Sequence, residues 1–218
     1  MVQASNGRLY GALSSYHFDQ VQFYEINPSG SGFEEFPEIG TLSVVFNVST
    51  LIQASDGNLW TDFTETSATN GTLIAISPTT GTVVHQFDFD GANGTTPEAS
   101  VVQAADGKLY GTAGGGGVVS GGQQASGTVW VLDAGLPAPR AAIAAFTPSS
   151  GAAGTKVLIR GSHLIGTKEV TFNGVSAPFT VLNTNFISAA VPQTATTGPI
   201  AVTNEAGTTV SSGNFVVP

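Results

Sequence analysis

The sequence contains no cysteine, few basic residues and no long apolar run. The absence of cysteine excludes disulfides, metal–thiolate sites and cysteine nucleophiles. No stretch stays apolar for the roughly 20 residues that a membrane-spanning helix needs, so we expect no membrane insertion. Six lysines and arginines stand against 15 aspartates and glutamates, for a net charge of −9. An acidic chain without a basic stripe is not expected to bind nucleic acid.

The charge is unevenly distributed along the 218 residues. Two basic and 13 acidic residues lie up to Gly135, whereas four basic and two acidic residues lie from Leu136 onward. This shift predicts a domain boundary near residue 136. With 41% hydrophobic residues and 28 glycines, the chain has the composition of short strands joined by tight turns around a sizeable core.

One nine-residue stretch occurs three times, at residues 2–10, 52–60 and 102–110, with an offset of 50 residues each time. All three copies fit the pattern Val/Ile-Gln-Ala-x-Asn/Asp-Gly-x-Leu-aromatic, in which x marks a variable position. A fixed period of this length indicates a repeat architecture. The Asn-Gly or Asp-Gly pair at residues 6–7, 56–57 and 106–107 predicts a hairpin with a two-residue type I′ turn.

Each repeat is predicted to hold four antiparallel strands, which is typical of a β-propeller blade. The predicted units are residues 1–50, 51–100 and 101–134, and the third lacks its fourth strand. We therefore predict an all-β fold, with essentially no helix and about three propeller-like blades in residues 1–134. A run of apolar residues at 42–48 is interpreted as a strand of the first unit.

The repeats carry a family resemblance. Residues 103–112, the glycines at 114–117 and Gly-Thr-Val at 127–129 resemble the GloVer tandem repeats of bacterial "choice-of-anchor" surface proteins. A preceding Asp-Gly-Ala-Asn-Gly-Thr-Thr-Pro stretch at 90–97 fits as well. The second repeat departs, with Thr61-Asp62 where the family prefers Gly-Thr. The resemblance covers residues 1–133 and implies a secreted, cell-associated protein without an established catalytic activity.

After a proline-rich linker at 135–139, the 50-residue period stops. About seven short strands are predicted in residues 140–218, at 142–146, 156–160, 169–172, 179–181, 186–191, 199–203 and 214–217. They alternate with turns in the manner of an immunoglobulin-like sandwich. Residues 146–151, 154–164, 170–174, 191–192, 198–202 and 207–215 resemble an IPT/TIG domain. The resemblance implies a spacer or stalk role, because the basic loops of DNA-binding members are missing here.

No candidate catalytic set is predicted to converge. A triad needs a nucleophile, a base and an orienting carboxylate, but His17, His85 and His163 lie in unrelated segments. The carboxylate pairs are Glu34/Glu35, Asp62/Glu65 and Asp88/Asp90. Glu34 and Glu35 are neighbours in a strand and point to opposite faces, and the other pairs are interpreted as solubilising residues at strand ends.

Two segments invite a ligand. Asp88, Asp90 and Asn93 are closely spaced oxygen donors that a calcium ion would accept, although the pattern lacks the bidentate glutamate of an EF-hand; a turn between blades is the competing interpretation. The glycine-rich residues 114–122 are interpreted as a loop, because no lysine and no helix follow as a phosphate site requires.

The recurrent aromatic residues Tyr10, Trp60 and Tyr110 allow two interpretations. They are either platforms for sugar binding or filling between neighbouring blades, and we favour the second because blades must bury a face against each other. The Asn-x-Ser/Thr sequences at Asn47, Asn70 and Asn93 are interpreted as chance products of turn residues.

From these observations we expect a non-enzymatic extracellular or cell-surface module with no cofactor and no metal, used for structure, adhesion or assembly. The alternative is a carbohydrate-binding or carbohydrate-active propeller protein. Three units cannot close a propeller. The open faces therefore predict further blades upstream in a longer parent protein, a second copy that completes a ring or extends a filament, or collapse into a smaller sandwich. Of these we favour self-association or binding to other surface proteins. No secretion signal precedes the first repeat at Met1, and we expect the sequence to be a fragment or processed form.

Overall fold

A computed structural model describes residues 1–15, 20–36, 45–65, 70–97, 99–117 and 127–218. Within these ranges every regular element is a β-strand, which confirms the all-β prediction. No helix in the described ranges is long and apolar enough to cross a membrane. The chain divides into two compact units, one of Met1–Ala104 and Lys108–Leu136, the other of Ala105–Gly107 and Pro137–Pro218.

The first unit contains three antiparallel sheets, one for each occurrence of the repeat. The first sheet consists of β1 (Val2–Gln3), β2 (Leu9–Ser15), β3 (Gln20–Ile26) and β4 (Glu34–Glu35). The second consists of β5 (Val45–Val48), β6 (Ile52–Gln53), β7 (Leu59–Glu65), β8 (Thr72–Ile76) and β9 (Val83–Asp88). The third consists of β10 (Thr95–Pro97), β11 (Val102–Gln103), β12 (Leu109–Gly115) and β13 (Thr128–Leu132).

The sheets share one register. The first strand of each repeat pairs with the strand after the turn through Val2 and Tyr10, Ile52 and Trp60, and Val102 and Tyr110. Within this hairpin, residues 50 positions apart are therefore structurally equivalent across the three sheets. This equivalence allows the environment of one residue to be compared with that of its two counterparts.

Sheet boundaries do not coincide with repeat boundaries. Val45–Val48 pairs with β7 of the second sheet, so the prediction that it is a strand of the unit at residues 1–50 is wrong. Residues 42–44 of that predicted strand lie outside the described residues. In the same way, β10 precedes the third repeat and pairs with β12. The last described strand before the second and before the third repeat thus pairs into the sheet of the repeat that follows it.

Two apolar clusters fill the spaces between neighbouring sheets. Successive residues of β7 point to opposite faces, so Leu59 and Phe63 enter the cluster with the first sheet while Trp60 enters the cluster with the third. Every residue of β8 is buried, because both faces of the second sheet are covered. The second sheet is therefore the core element of this unit.

The recurrent turn differs from the predicted type I′ turn. Ala4 and Arg8 close a three-residue loop, in which Gly7 N–H also donates to Ala4 O at 2.8 Å. Only the glycine has a positive φ, 83° at Gly7, whereas a type I′ turn needs positive φ at both central positions. The preceding Asn6 accepts a hydrogen bond from the backbone N–H of Arg8 at 3.0 Å. Asparagine or aspartate is thus used for its side-chain oxygen.

The second unit is a two-layer antiparallel sandwich. One sheet has the order β14 (Ala142–Thr147), β15 (Lys156–Ser162), β19 (Phe186–Ala190) and β18 (Phe179–Asn183). The other has the order β17 (Val175–Ser176), β16 (Glu169–Phe172), β20 (Gly198–Asn204) and β21 (Gly207–Phe215). Alternate residues of both sheets form one apolar core, in which Phe172 meets Phe215 edge to face at 5.1 Å.

Candidate functional site

The glutamine of the repeat connects neighbouring sheets. Gln53 Nε2 donates to Gly57 O of its own turn at 2.8 Å, and Gln53 Oε1 accepts from the backbone N–H of Ser5 in the preceding turn at 2.7 Å. The next sheet repeats the arrangement, with Gln103 Oε1 accepting from Ser55 N–H at 2.8 Å. We call this hydrogen bond between a glutamine and the preceding turn the glutamine clasp. Because it recurs at the repeat period, it fixes the register of one sheet on the next.

The recurrent aromatic residues Tyr10 and Trp60 fill the spaces between sheets. Tyr10 is 1% and Trp60 is 0% exposed, and each lies in one of the two inter-sheet clusters. Their polar atoms meet the turn, since Asn6 Nδ2 donates to Tyr10 OH at 2.7 Å and Trp60 Nε1 donates to Asp56 at 3.3 Å. Neither ring presents a face to solvent for a sugar. Tyr110, the third of the series, is only half-buried.

Asp62 is a fully buried carboxylate whose oxygens have no hydrogen-bond partner in the described structure. Burial raises the pKa of Asp62 to about 6, and the nearby Ser49 hydroxyl opposes that shift without reaching hydrogen-bonding geometry with either oxygen. The equivalent positions carry Ala12 and Thr112, which have no charge to bury. That contrast between the three copies marks Asp62 as unusual, but it does not show that Asp62 is buried.

The structure brings the predicted catalytic candidates into no common site among the described residues. His85 lies in β9 and stacks on Trp60 with ring centroids 5.8 Å apart, whereas His163 belongs to the second unit. His163 has a φ of 52° in a turn, a region that histidine enters more readily than most residues. His17 and the side chain of Glu65 lie outside the described part of the structure.

The acidic segment at 88–93 closes a turn. Asp90 N–H donates to Asn93 Oδ1 and Asn93 N–H donates to Asp90 Oδ1, both at 2.9 Å. Asp88 Oδ1 instead accepts from Thr72 and Gln86 on its own sheet. No group of three His, Cys, Asp or Glu residues that could hold a metal ion occurs in the described ranges. The side-chain oxygens that suggested a calcium site therefore accept hydrogen bonds from other groups of the protein.

A small cavity lies beside this turn, between the second and third sheets. Its volume is about 70 Å³, well below the roughly 300 Å³ at which ligand pockets begin. The lining residues are mostly apolar, with Asp88 and Asn93 as the polar ones: Leu73, Phe87, Asp88, Phe89, Asn93, Trp130, Val131 and Leu132. A cavity of this size does not accommodate a sugar ring.

The described glycines at 114–117 serve packing. A Cβ at Gly116, whose φ is 75°, would lie 2.6 Å from Gly91 O, and Gly117 N–H donates to Gly91 O at 2.8 Å. Glycine is thus required for a close approach of two backbones. Residues 118–122 of the predicted loop are outside the described ranges, as is the side chain of Asn47. Asn70 lies just before β8, and Asn93 lies between β9 of the second sheet and β10 of the third.

Comparison with known proteins places an IPT/TIG domain at residues 141–217, which confirms that part of the resemblance. The match covers the second unit alone, so the resemblance of residues 1–133 to GloVer repeats stays a prediction. No curated protein matches the chain.

Solved structures resemble parts of the fold. A putative phosphatase from Bacteroides thetaiotaomicron is 31% identical over 39% of this chain and 19% of its own, with a TM-score of 0.34. A protein solved with a xylogluco-oligosaccharide is 18% identical over 89% of this chain and 44% of its own, with a TM-score of 0.40. A fungal alcohol oxidase of the AA5 family, solved with copper, is 12% identical over 96% and 52%, with a TM-score of 0.37. The chain thus spans about half or less of these structures.

Proposed function

We propose that this chain is a non-enzymatic module of a bacterial extracellular or cell-surface protein that acts through protein–protein contacts. The observation that supports this most directly is the use made of the recurrent residues. Gln53, Gln103, Tyr10 and Trp60 hold sheets together and line no ligand cavity in the described structure. The IPT/TIG domain adds a module type that is suited to interactions between proteins.

The carbohydrate alternative receives less support. Of the three residues suggested as a sugar platform, Tyr10 and Trp60 are buried, and Asp62 is buried with them. The cavity next to Asp88 is smaller than one sugar ring requires. A glycan-array experiment with the 218-residue chain tests the alternative, and saturable binding to a defined glycan, lost in Trp60→Ala but kept in Trp130→Phe, would favour it over the proposal.

The location of the protein tests the extracellular part of the proposal. Antibodies against the chain should label intact cells of the source organism, and protease added to those cells should remove the signal while a cytoplasmic marker persists. Labelling only after the cells are broken open would contradict an extracellular role.

A further inference from the structure

The described part of the third sheet lacks a strand that the first two sheets have. In the first sheet β3 lies between β2 and β4, and in the second sheet β8 lies between β7 and β9. Their counterpart in the third sheet, β13, pairs with β12 alone among the described strands. We call its other side the open edge of β13. An unpaired edge presents a row of backbone N–H and C=O groups to which another strand can be added.

The register shows which backbone groups the open edge presents. Val129 takes the place in β13 that Phe23 has in β3, since each pairs with the fourth residue of the preceding strand. Phe36, the residue after β4, donates from its backbone N–H to Phe23 O at 2.9 Å. Successive residues of an antiparallel strand direct their backbone groups to alternate sides. Val129 and Val131 are therefore the residues of β13 whose backbone groups point to the open edge.

The cavity of about 70 Å³ lies beside this edge. From the third sheet, Trp130, Val131 and Leu132 of β13 line it and no residue of β12 does, and apolar residues of the second sheet form the rest of the wall. One water molecule needs about 10–15 Å³ of such volume, so several side-chain atoms fit. Trp130 is 6% exposed, and its indole Nε1 is buried with no hydrogen-bond partner in the described structure. A buried N–H group without an acceptor is unfavourable, and a ligand that supplies one relieves this cost.

The outer strands of the first two sheets place a side-chain oxygen at the position opposite Trp130. Tyr24 and Ile74 are the counterparts of Trp130, because all three pair with the third residue of the preceding strand. Glu35 pairs with Tyr24, and Gln86 pairs with Ile74. A glutamate or glutamine at this position of an added strand would bring an acceptor to the residue whose indole N–H has none.

Apolar residues flank this glutamate or glutamine in both strands: Phe33 and Phe36 in the first sheet, and Val83 and Phe87 in the second. Val83 pairs with the second-sheet counterpart of Leu132, one of the residues that line the cavity. Phe36 and Phe87 each pack into one of the two inter-sheet clusters. The chain thus contains two examples of the kind of strand for which the open edge has a place.

We propose that the open edge of β13 binds an extended segment of a partner protein that contains an apolar residue, then a glutamate or glutamine, then a phenylalanine. The segment pairs antiparallel with β13. Its glutamate or glutamine lies opposite Trp130 and accepts from Nε1, the apolar residue before it lies opposite Leu132 and enters the cavity, and the phenylalanine covers Val129, which is 79% exposed. In strand addition the main-chain bonds supply affinity and the side-chain pockets supply selectivity. The inference rests on the proposed function in protein–protein contacts and names the surface and the kind of segment.

A synthetic peptide with the sequence of residues 82–90 tests the binding, because it contains the whole of β9. The peptide carries a fluorescein label and is titrated with the 218-residue chain, and its anisotropy should rise to saturation. A second peptide has alanine in place of Val83 and Gln86, the two residues that would face the cavity and Trp130, and it should bind roughly tenfold more weakly or worse. Equal binding of the two peptides, or no saturable binding at any soluble concentration of the chain, would overturn the inference.

Proline substitutions identify the edge to which the peptide binds. Val131→Pro removes a backbone N–H from the open edge, a position at which a sheet tolerates proline. Val84→Pro makes the same exchange in β9, the outermost described strand of the second sheet, and is the matched control. Val131→Pro should weaken peptide binding roughly tenfold or more, whereas Val84→Pro should leave it unchanged. Circular dichroism verifies that both variants fold. Loss of binding in Val84→Pro with binding retained in Val131→Pro would overturn the choice of β13.

The two tryptophans of the sequence give a readout that depends on neither proline variant. A ¹⁵N-labelled chain has two indole N–H signals, from Trp60 and Trp130, and Trp130→Phe assigns them by removing one. Bound peptide should move the Trp130 signal downfield, because its N–H gains an acceptor. The Trp60 signal should stay in place, because its N–H already donates to Asp56 at 3.3 Å. An unmoved Trp130 signal at saturating peptide, or an equal shift of both signals, would overturn the inference. These measurements use purified protein, whereas labelling of intact cells tests the proposed function, so the failure of one is distinguishable from the failure of the other.

Discussion

The side-chain oxygen of Gln53 lies 2.7 Å from the backbone nitrogen of Ser5, 48 residues away in the preceding sheet. The same amide group donates to Gly57 O, so one side chain joins two turns. Gln3 makes only the second type of bond, to Gly7 O at 3.1 Å. Comparing substitutions of these two glutamines therefore distinguishes the hydrogen bond within a turn from the glutamine clasp between neighbouring sheets.

Gln53→Ala should lower the free energy of unfolding more than Gln3→Ala does. Both variants lose the hydrogen bond to their own turn, and only Gln53→Ala also leaves the Ser5 N–H without its acceptor. The difference should be about 1 kcal/mol, the usual net value of one hydrogen bond. Urea unfolding of the 218-residue chain measures it. Equal losses in the two variants would mean that the clasp does not stabilise the stack.

Asp62 predicts an unusual dependence of stability on pH. Its pKa in the folded chain is about 6, above the ordinary value of 3.8, so the folded state holds the proton more tightly than the unfolded state. This contribution is complete below pH 4 and is lost as the pH rises to about 6. The loss amounts to roughly 3 kcal/mol at most, since one pKa unit corresponds to 1.36 kcal/mol.

Asp62→Asn tests this prediction because asparagine has the same shape and does not titrate. Its urea midpoint between pH 4.5 and 7.5 should fall less than that of the unaltered chain, and at pH 7.5 it should be the more stable protein. Asp88→Asn, on the exposed β9, serves as the control and should retain the original slope. Identical pH slopes for Asp62→Asn and the unaltered chain would contradict the prediction.

Gly116→Ala should destabilise the first unit more than Gly7→Ala. Both glycines have positive φ, 75° and 83°, so each alanine incurs the left-handed backbone cost of roughly 1–2 kcal/mol. Only at Gly116 does the new Cβ also meet a backbone oxygen, that of Gly91 at 2.6 Å; nothing lies within 4 Å at Gly7. Thermal unfolding should show the larger fall for Gly116→Ala. A smaller fall than for Gly7→Ala would contradict the close packing.

Asn204→Ala should destabilise the IPT/TIG domain by about 1–3 kcal/mol. Asn204 is buried, donates to Pro139 O at 2.9 Å and accepts from Ala206 N–H at 3.0 Å, so the substitution leaves a buried carbonyl without its donor. The exposed Asn183, which accepts from Asn185 N–H, is the matched control, and Asn183→Ala should cost less. Chemical unfolding of the full chain provides the comparison, and a cost for Asn183→Ala equal to that for Asn204→Ala would argue against burial as the cause.

Much of the IPT/TIG domain was readable from sequence because its strands alternate clearly between turns. The predicted run at 169–172 coincides with β16, and the run at 156–160 lies within β15. The two-residue β17 was missed, since two residues carry no periodicity. The run at 214–217 captured only the end of β21, whose earlier residues are mostly small and polar.

The repeat period was equally visible, yet the period does not say which sheet receives a strand. The segment now assigned to β5 pairs with β7, and that choice depends on a partner far along the chain. The turn type was mistaken because an Asp-Gly pair serves two geometries, and the deciding bonds involve Arg8 and its counterparts. The burial of Asp62 was likewise not readable, because it depends on the strands that cover its face.

The offset between sheet and repeat has a consequence for how such genes change length. Each of β5 and β10 is encoded ahead of the repeat whose sheet it completes. An in-phase deletion of residues 51–100 would remove β6 to β10 together and place β5 directly ahead of the third repeat. Because β5 and β10 pair with equivalent strands of their sheets, β5 would then stand where β10 stood. A break at the start of a repeat can thus change the number of sheets and still leave each remaining sheet with its preceding strand.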